Sequence, residues 1–274
     1  NPCGKLAETI PYKLSDNPSY LNFQGDGKVV EYKEGVFVGY RYYDTKEMPV
    51  RFPFGYGLSY TDYEYHDMKL SAKQIKDTDK LTVSVQVTNT GKMAGKEIVQ
   101  VYVADKTDAV SRPCKELKGF AKVSLKPGET KTVEIELDKR SFAWYNTQIH
   151  DWYAASGDYE ILVGASSADI RLKDSVELIS TTAIPMEITR NTVVAELTGN
   201  PGTAAVLKKY MDSFNEVLGG GKKEEASEVA NEAVTEEMSM KMMENSPLRS
   251  FRSFMQISNS QLDELIEELK KAAE

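Results

Sequence analysis

The chain has 274 residues, of which 41% are hydrophobic and 28% charged, enough for one or two water-soluble domains with a real core. Its 42 acidic and 34 basic side chains leave a net charge of −8, and no basic stripe breaks that balance, which argues against a nucleic-acid partner. No apolar run approaches the roughly eighteen residues that a membrane-spanning helix needs.

Residues 1–58 are rich in Gly, Pro, Asn and aromatics, with little periodicity. Asn1-Pro2 and the absence of a signal-peptide pattern suggest a processed or truncated chain. Turn signals recur at Asn17-Pro18, Gly25-Asp26-Gly27 and Arg51-Phe52-Pro53, and one strand is expected at Gly35-Val36-Phe37-Val38-Gly39-Tyr40. Such a segment buries too little surface to fold alone. We expect an irregular strap packed on something else and anchored by Phe52, Phe54, Tyr56 and Tyr60.

Residues 59–178 alternate. Leu81, Val83, Val85 and Val87 interleave with Thr82, Ser84 and Gln86, the two-residue period of a strand buried on one face. Asn89-Thr90-Gly91 breaks the run, and Val99, Val101 and Val103 share one face of the next strand. Lys126-Pro127-Gly128-Glu129 is a β-turn signal, with Pro setting φ and Gly accepting positive φ. Val133, Ile135 and Leu137 follow on one face, then a run from Tyr159 to Val163. With runs at Tyr63–Leu70, Leu117–Leu125 and Ile170–Leu178, about seven strands appear. The fold class expected is mainly β: an antiparallel sandwich of immunoglobulin or fibronectin type III kind, with Val83, Val85, Val101, Ile135 and Val163 in its core.

From about residue 190 the pattern is helical. Asn200 can cap a helix with Pro201 at its first position. Val206, Leu207, Tyr210, Met211, Phe214, Val217 and Leu218 form the stripe of that helix, and Gly219-Gly220-Gly221 stops it. The charged run Lys222–Glu237 reads as a solvated face or linker. A last helix starts at Ser260 as N-cap with Asp263 three residues on, and carries Leu262, Leu265, Ile266 and Leu269 on one stripe. Five methionines between 238 and 255 add adaptable apolar surface. Two readings of this tail stay open: a small bundle that buries its own stripes, or a surface that docks on other domains or on a second copy of the chain.

Chemistry is scarce. His66 and His150 lie on strands or strand edges, no G-x-S-x-G elbow accompanies them, and both read as structural. No phosphate loop, dinucleotide fingerprint or metal-ligand spacing occurs. Cys3 and Cys114 form neither a disulfide framework nor a C-x-x-C zinc pattern, and a reducing, cytoplasmic compartment is expected. Asp151-Trp152 pairs an acid with an aromatic, but between sandwich strands, where a pocket has little room. The dense aromatics from Tyr40 to Tyr65 fit a seam between packed units better than a sugar-stacking platform.

Two stretches resemble a known family. Phe52-Pro53-Phe54-Gly55-Tyr56-Gly57-Leu58-Ser59-Tyr60-Thr61 resembles the segment that enters the last domain of glycoside hydrolase family 3 enzymes. Arg112-Pro113-Cys114-Lys115-Glu116-Leu117-Lys118-Gly119-Phe120, with Lys126-Pro127-Gly128-Glu129 after it, resembles that family's fibronectin type III-like domain. Asn1-Pro2-Cys3-Gly4-Lys5 and Gly39-Tyr40-Arg41-Tyr42-Tyr43-Asp44 are similar to the closing strands of its α/β domain. The helical tail is similar to an extension in some bacterial members. This divides the chain into an α/β-domain end segment (1–58), the sandwich (59–178) and a helical extension (190–274).

The resemblance implies a parent β-glucosidase or related exo-glycosidase of retaining mechanism, with a carboxylate pair. The family's nucleophile lies in a Ser-Asp-Trp motif, whereas Ser15-Asp16 here is followed by Asn17 and Asp151-Trp152 is preceded by His150. The Lys-His substrate pair is absent too, and a TIM barrel takes about 250 residues. No catalytic, cofactor-binding or metal residue is therefore assigned to any position, and no cofactor is expected. The expected role is a non-catalytic buttress. Its partners would be the family's catalytic domains, in cis or as a separate chain, and through them a carbohydrate substrate. A second copy of the chain is a further candidate partner; nucleic acid and membrane are not. The rivals are a free-standing carbohydrate-binding module and a protein-interaction domain using the acidic tail.

Overall fold

The computed structural model describes residues 1–25, 27–219 and 244–273. Two compact units divide the chain, Asn1–Ala183 and Ile184–Glu274.

The first unit is a sandwich with a strap. One sheet holds three strands in the order β1 (Tyr63–Leu70), β3 (Leu81–Asn89), β6 (Thr130–Leu137). The other holds five, in the order β2 (Gln74–Lys76), β10 (Asp169–Ile179), β9 (Gly157–Ser166), β4 (Gly95–Asp105), β5 (Glu116–Leu125). Every pairing is antiparallel except the short parallel one of β2 on β10. Between β6 and β9 lie a helical turn, α2 (Lys139–Phe142), and a small hairpin of β7 (Trp144–Asn146) and β8 (Asp151–Tyr153).

Alternation sets the register. Leu81, Val83 and Val85 stand opposite Leu137, Ile135 and Val133, while Val101 faces Val163 in the other sheet. All of these side chains belong to one buried cluster that also takes in Phe142, Tyr159 and Leu178. At the end of β3, Asn89 is buried and its amide donates to the carbonyls of Met93 and Leu125. Its Oδ1 accepts from the Thr61 hydroxyl and the Gly91 N–H, so the Asn89-Thr90-Gly91 break is a side-chain-closed turn.

The strand expected at Gly35–Tyr40 does not form. Gly35 and Gly39 both adopt positive φ (58° and 57°), Phe37 N–H closes a turn on Glu34, and Tyr40 begins the helix α1 (Tyr40–Thr45). The alternating valines there have no neighbouring strand among the described residues to complete a ladder, so turn geometry prevails. Elsewhere the strap is irregular, with one isolated bridge joining Ile10 to Phe52.

The second unit packs α3 (Val194–Thr198), α4 (Pro201–Gly219), α5 (Phe251–Phe254) and α6 (Asn259–Ala273). Asn200 caps α4, its Oδ1 accepting from Gly202 N–H at 2.8 Å. The cap of α6 is Ser258, not Ser260: Ser258 Oγ accepts from Gln261 N–H and the Gln261 side chain accepts from Ser258 N–H. Gln261 reaches back as well as Asp263 could, two residues earlier in the chain, and leaves Asp263 free to pair with Arg190. Leu262, Leu265, Ile266 and Leu269 are buried with Leu197, Leu207, Leu248 and Phe251. The 262–269 stripe thus closes a core within this unit, as the first of the two readings of the tail expects and the docking reading does not. The side chains at stripe positions Phe214, Val217 and Leu218, and the whole of the glycines after 219, the run Lys222–Glu237 and the methionines from 238 to 243, lie outside what the structure describes.

Candidate functional site

The motif Arg112–Phe120 builds a charged seam. Arg112 runs into β5 and donates to Asp105 Oδ2 (3.1 Å), Glu116 Oε2 (2.5 Å) and the Phe142 carbonyl (2.7 Å). Glu116 also meets Arg41 of α1 at 3.1 Å and Lys118 at 3.5 Å. Burial alone would raise the Glu116 carboxyl, but Lys118, Arg112 and Arg41 outweigh it and hold it below the usual range. Burial likewise lowers the Lys118 ammonium despite Glu116 beside it. Around this centre Leu117 N–H donates to the Tyr40 hydroxyl, Cys114 N–H to Thr45 Oγ1, and Lys115 pairs with Asp44 at 2.9 Å. Tyr40 stacks on Phe54 with centroids 4.4 Å apart. These contacts sew the strap to the sandwich.

Gln100 makes a second stitch. Its buried amide donates to the carbonyls of Gly55 and Ala165, and its Oε1 accepts from the Tyr102 hydroxyl. Gly55 sits at φ 79°, and any Cβ there would run into the Gln100 side chain. Phe52, Phe54 and Tyr56 are half-buried as expected, but Tyr60 is 71% exposed and anchors nothing. Its backbone N–H is instead tied to Asn1 Oδ1, which turns the ring outward.

Between strap and sandwich lies a polar cavity of about 480 Å³. Lys5 from the strap pairs there with Glu97 of β4 at 2.9 Å, and Arg171 of β10 pairs with Asp169 at 2.9 Å while donating to the Tyr63 carbonyl at 2.7 Å. The Tyr63 hydroxyl is buried close against Gly95. Sequence reading missed this cluster. Its signal was Glu97, a charge in phase with the inward Val99, Val101 and Val103, and it is buried as they are.

The residues singled out for chemistry do not converge. His66 lies on β1 with Nε2 3.5 Å from Thr88 Oγ1. His150 is exposed in the hairpin turn at φ 51°. Asp151 is exposed on β8, where its Oδ1 accepts from Trp152 N–H, and Arg140 covers the Trp152 ring at 4.0 Å. Asp151 therefore lacks the desolvated setting that a glycosidic acid requires. Cys3 and Cys114 are both free thiols. Among the described residues no three His, Cys, Asp or Glu side chains gather as a metal site, and no helix is long and apolar enough to cross a membrane.

The strap also carries a broad apolar surface turned to solvent. Tyr12, Leu14, Leu21, Phe23 and Tyr32 are all exposed, Leu21 to 94% and Tyr32 to 82%.

Comparison with known proteins agrees with this architecture. A fibronectin type III-like domain model matches residues 97–167. Thermostable beta-glucosidase B of Acetivibrio thermocellus is 50% identical over 271 residues, covering 98% of this chain and 35% of that protein. An exo-alpha-(1->6)-L-arabinopyranosidase of Bifidobacterium breve is 51% identical over 170 residues, covering 62% of this chain and 22% of its own length. Among solved structures, a GH3 beta-glucosidase of Bifidobacterium adolescentis superposes with a TM-score of 0.68 at 39% identity, over 75% of this chain and 30% of that one. The chain thus spans about a third or less of the length of the relatives it matches.

Proposed function

We propose that this chain, the C-terminal part of a glycoside hydrolase family 3, β-glucosidase-like protein with its fibronectin type III-like domain, is a non-catalytic buttress for that protein's catalytic domains. The parent reaction is retaining hydrolysis of a terminal glycosidic bond, with both carboxylates supplied from outside these residues. The observation that carries this reading is the exposed apolar surface of residues 12–32. Five large apolar side chains exposed within one short stretch exceed the scattered exposure that is ordinary for a soluble protein, and such surface marks an interface; it sits on the strap rather than on the sandwich core. The seam at Glu116 fixes the strap, so whatever packs on the strap is held at a set position. The relative covering 98% of the chain is bacterial, which supports a bacterial source. The free thiols Cys3 and Cys114 are compatible with a reducing, cytoplasmic compartment.

The test is reconstitution. The upstream region of a family member, produced separately, should bind this chain and gain aryl β-glucosidase activity on mixing. A chain with Leu14, Leu21 and Phe23 changed to Ser should lose both. Binding that survives those changes would reject the strap as the docking surface.

A further inference from the structure

The second unit holds a cavity of about 710 Å³, within the ~300–1,000 Å³ of small-molecule sites, and Arg190, Arg249 and Arg252 all line it. In a chain of net charge −8 that convergence runs against the overall balance. Among the described residues Asp263 is the one carboxylate paired with any of the three. It takes Nε and Nη2 of Arg190 and leaves Nη1 unused. Arg249 donates from Nη1 to Asn191 Oδ1 at 2.7 Å, a neutral acceptor that leaves its charge uncompensated. Arg252 is exposed and ion-paired to no described residue.

The backbone brings these side chains together. Arg249 N–H donates to the Arg190 carbonyl at 2.8 Å, Leu248 N–H to the Thr192 carbonyl at 3.0 Å, and Val193 bridges to Pro247. Two segments far apart in the chain are thus clamped side by side. Arg252 follows Arg249 by three residues, through a 3₁₀ turn (Leu248–Ser250) into α5, and positions three apart in such a turn stand one above the other. Ser250 and Ser253 add hydroxyls to the same lining. Like charges held close repel one another, and an anion relieves that repulsion. The planar guanidinium fork matches pairs of phosphate oxygens. A carboxylate brings two oxygens and one charge to three forks, whereas a phosphate monoester brings three oxygens and nearly two charges.

We infer that this cavity binds a small molecule bearing a phosphate monoester, held by Arg249 and Arg252 with Nη1 of Arg190 beside them. The site lies within the second unit and does not rest on the buttress reading.

Inorganic phosphate and phenyl phosphate, titrated separately into the full ¹⁵N-labelled chain at constant ionic strength, are the probes. Saturable amide shifts are expected at Asn191, Arg249, Ser250 and Ser253. Phenyl phosphate should bind at least as tightly as inorganic phosphate, because the cavity is larger than the anion alone; tighter binding of inorganic phosphate would overturn the monoester assignment in favour of the free ion. Arg252→Gln removes an exposed side chain without an ion pair, so it should keep the melting temperature yet weaken phenyl phosphate about ten-fold, the worth of one charge-assisted hydrogen bond. Shifts that grow without saturating, or that sodium chloride reproduces at the same ionic strength, would overturn the site. So would unchanged affinity in Arg252→Gln.

Discussion

Arg41 and Glu116 meet at 3.1 Å, although one belongs to the strap helix and the other to an edge strand of the sandwich. The same carboxylate holds Arg112 and Lys118, so one acid fastens three cations from two parts of the chain. Glu116→Gln should therefore cost about 3 kcal/mol, since it takes the shared carboxylate from Arg41 and Lys118 and leaves Arg112 with Asp105 alone. Urea unfolding of the two proteins measures it directly.

The same group sets an acid limit. Its folded carboxyl is depressed below the ordinary 4.5, so its stabilisation is complete above that pH and drains away as pH falls through the folded value. Unfolding free energy measured from neutral pH downward should fall more steeply in the wild type than in Glu116→Gln. Parallel curves would show that Glu116 gains nothing from ionising.

Val85 is 1% exposed, opposite Val133. Val85→Asp buries an unpaired charge and should cost about 4 kcal/mol or prevent folding. Thr132→Asp, one residue along the paired strand on the solvent side, should stay within ~0.5 kcal/mol. Equal losses in both variants would contradict the register.

Gly55→Ala should loosen the strap specifically. The new methyl meets Gln100 at a backbone φ that only glycine adopts cheaply, so the loss should exceed ~1 kcal/mol. Hydrogen exchange is expected to quicken at Leu6, whose N–H donates to the Tyr56 carbonyl, more than at Val85 in the sandwich centre.

In the helical unit, Leu265→Ala should cost about 2–5 kcal/mol, because Leu265 is fully buried. Asp263→Asn breaks an ion pair whose partners are about half exposed, and should change stability by less than ~1 kcal/mol. Differential calorimetry separates the two outcomes.

The purified chain should release no nitrophenol from aryl β-glucosides beyond the buffer rate. Activity that disappears in Asp151→Asn but survives changes to other exposed acids would assign chemistry to the hairpin and defeat the buttress reading.

Periodicity carried the sandwich. Each inward valine of β3 declares its side by a local rule of two, and the rule needs no knowledge of the partner strand. The core of α6 was equally legible, since a helix stripe also repeats locally. What Leu262–Leu269 packs on was not, because a stripe states that it must be buried and not against what.

The strap shows the limit most plainly. Val36 and Val38 alternate as strand residues do, yet a strand exists only where a neighbour completes its hydrogen bonds, and Gly35 and Gly39 turn the chain away instead. The aromatic density from Tyr40 to Tyr56 marked a seam, but its closure by Glu116 and Gln100 depends on residues far along the chain. The sequence by itself determined which side chains must leave water. Only the tertiary structure decided which charges meet, because pairing depends on distance in space, and the chain order of Lys5, Glu97 and Arg171 carries no trace of it.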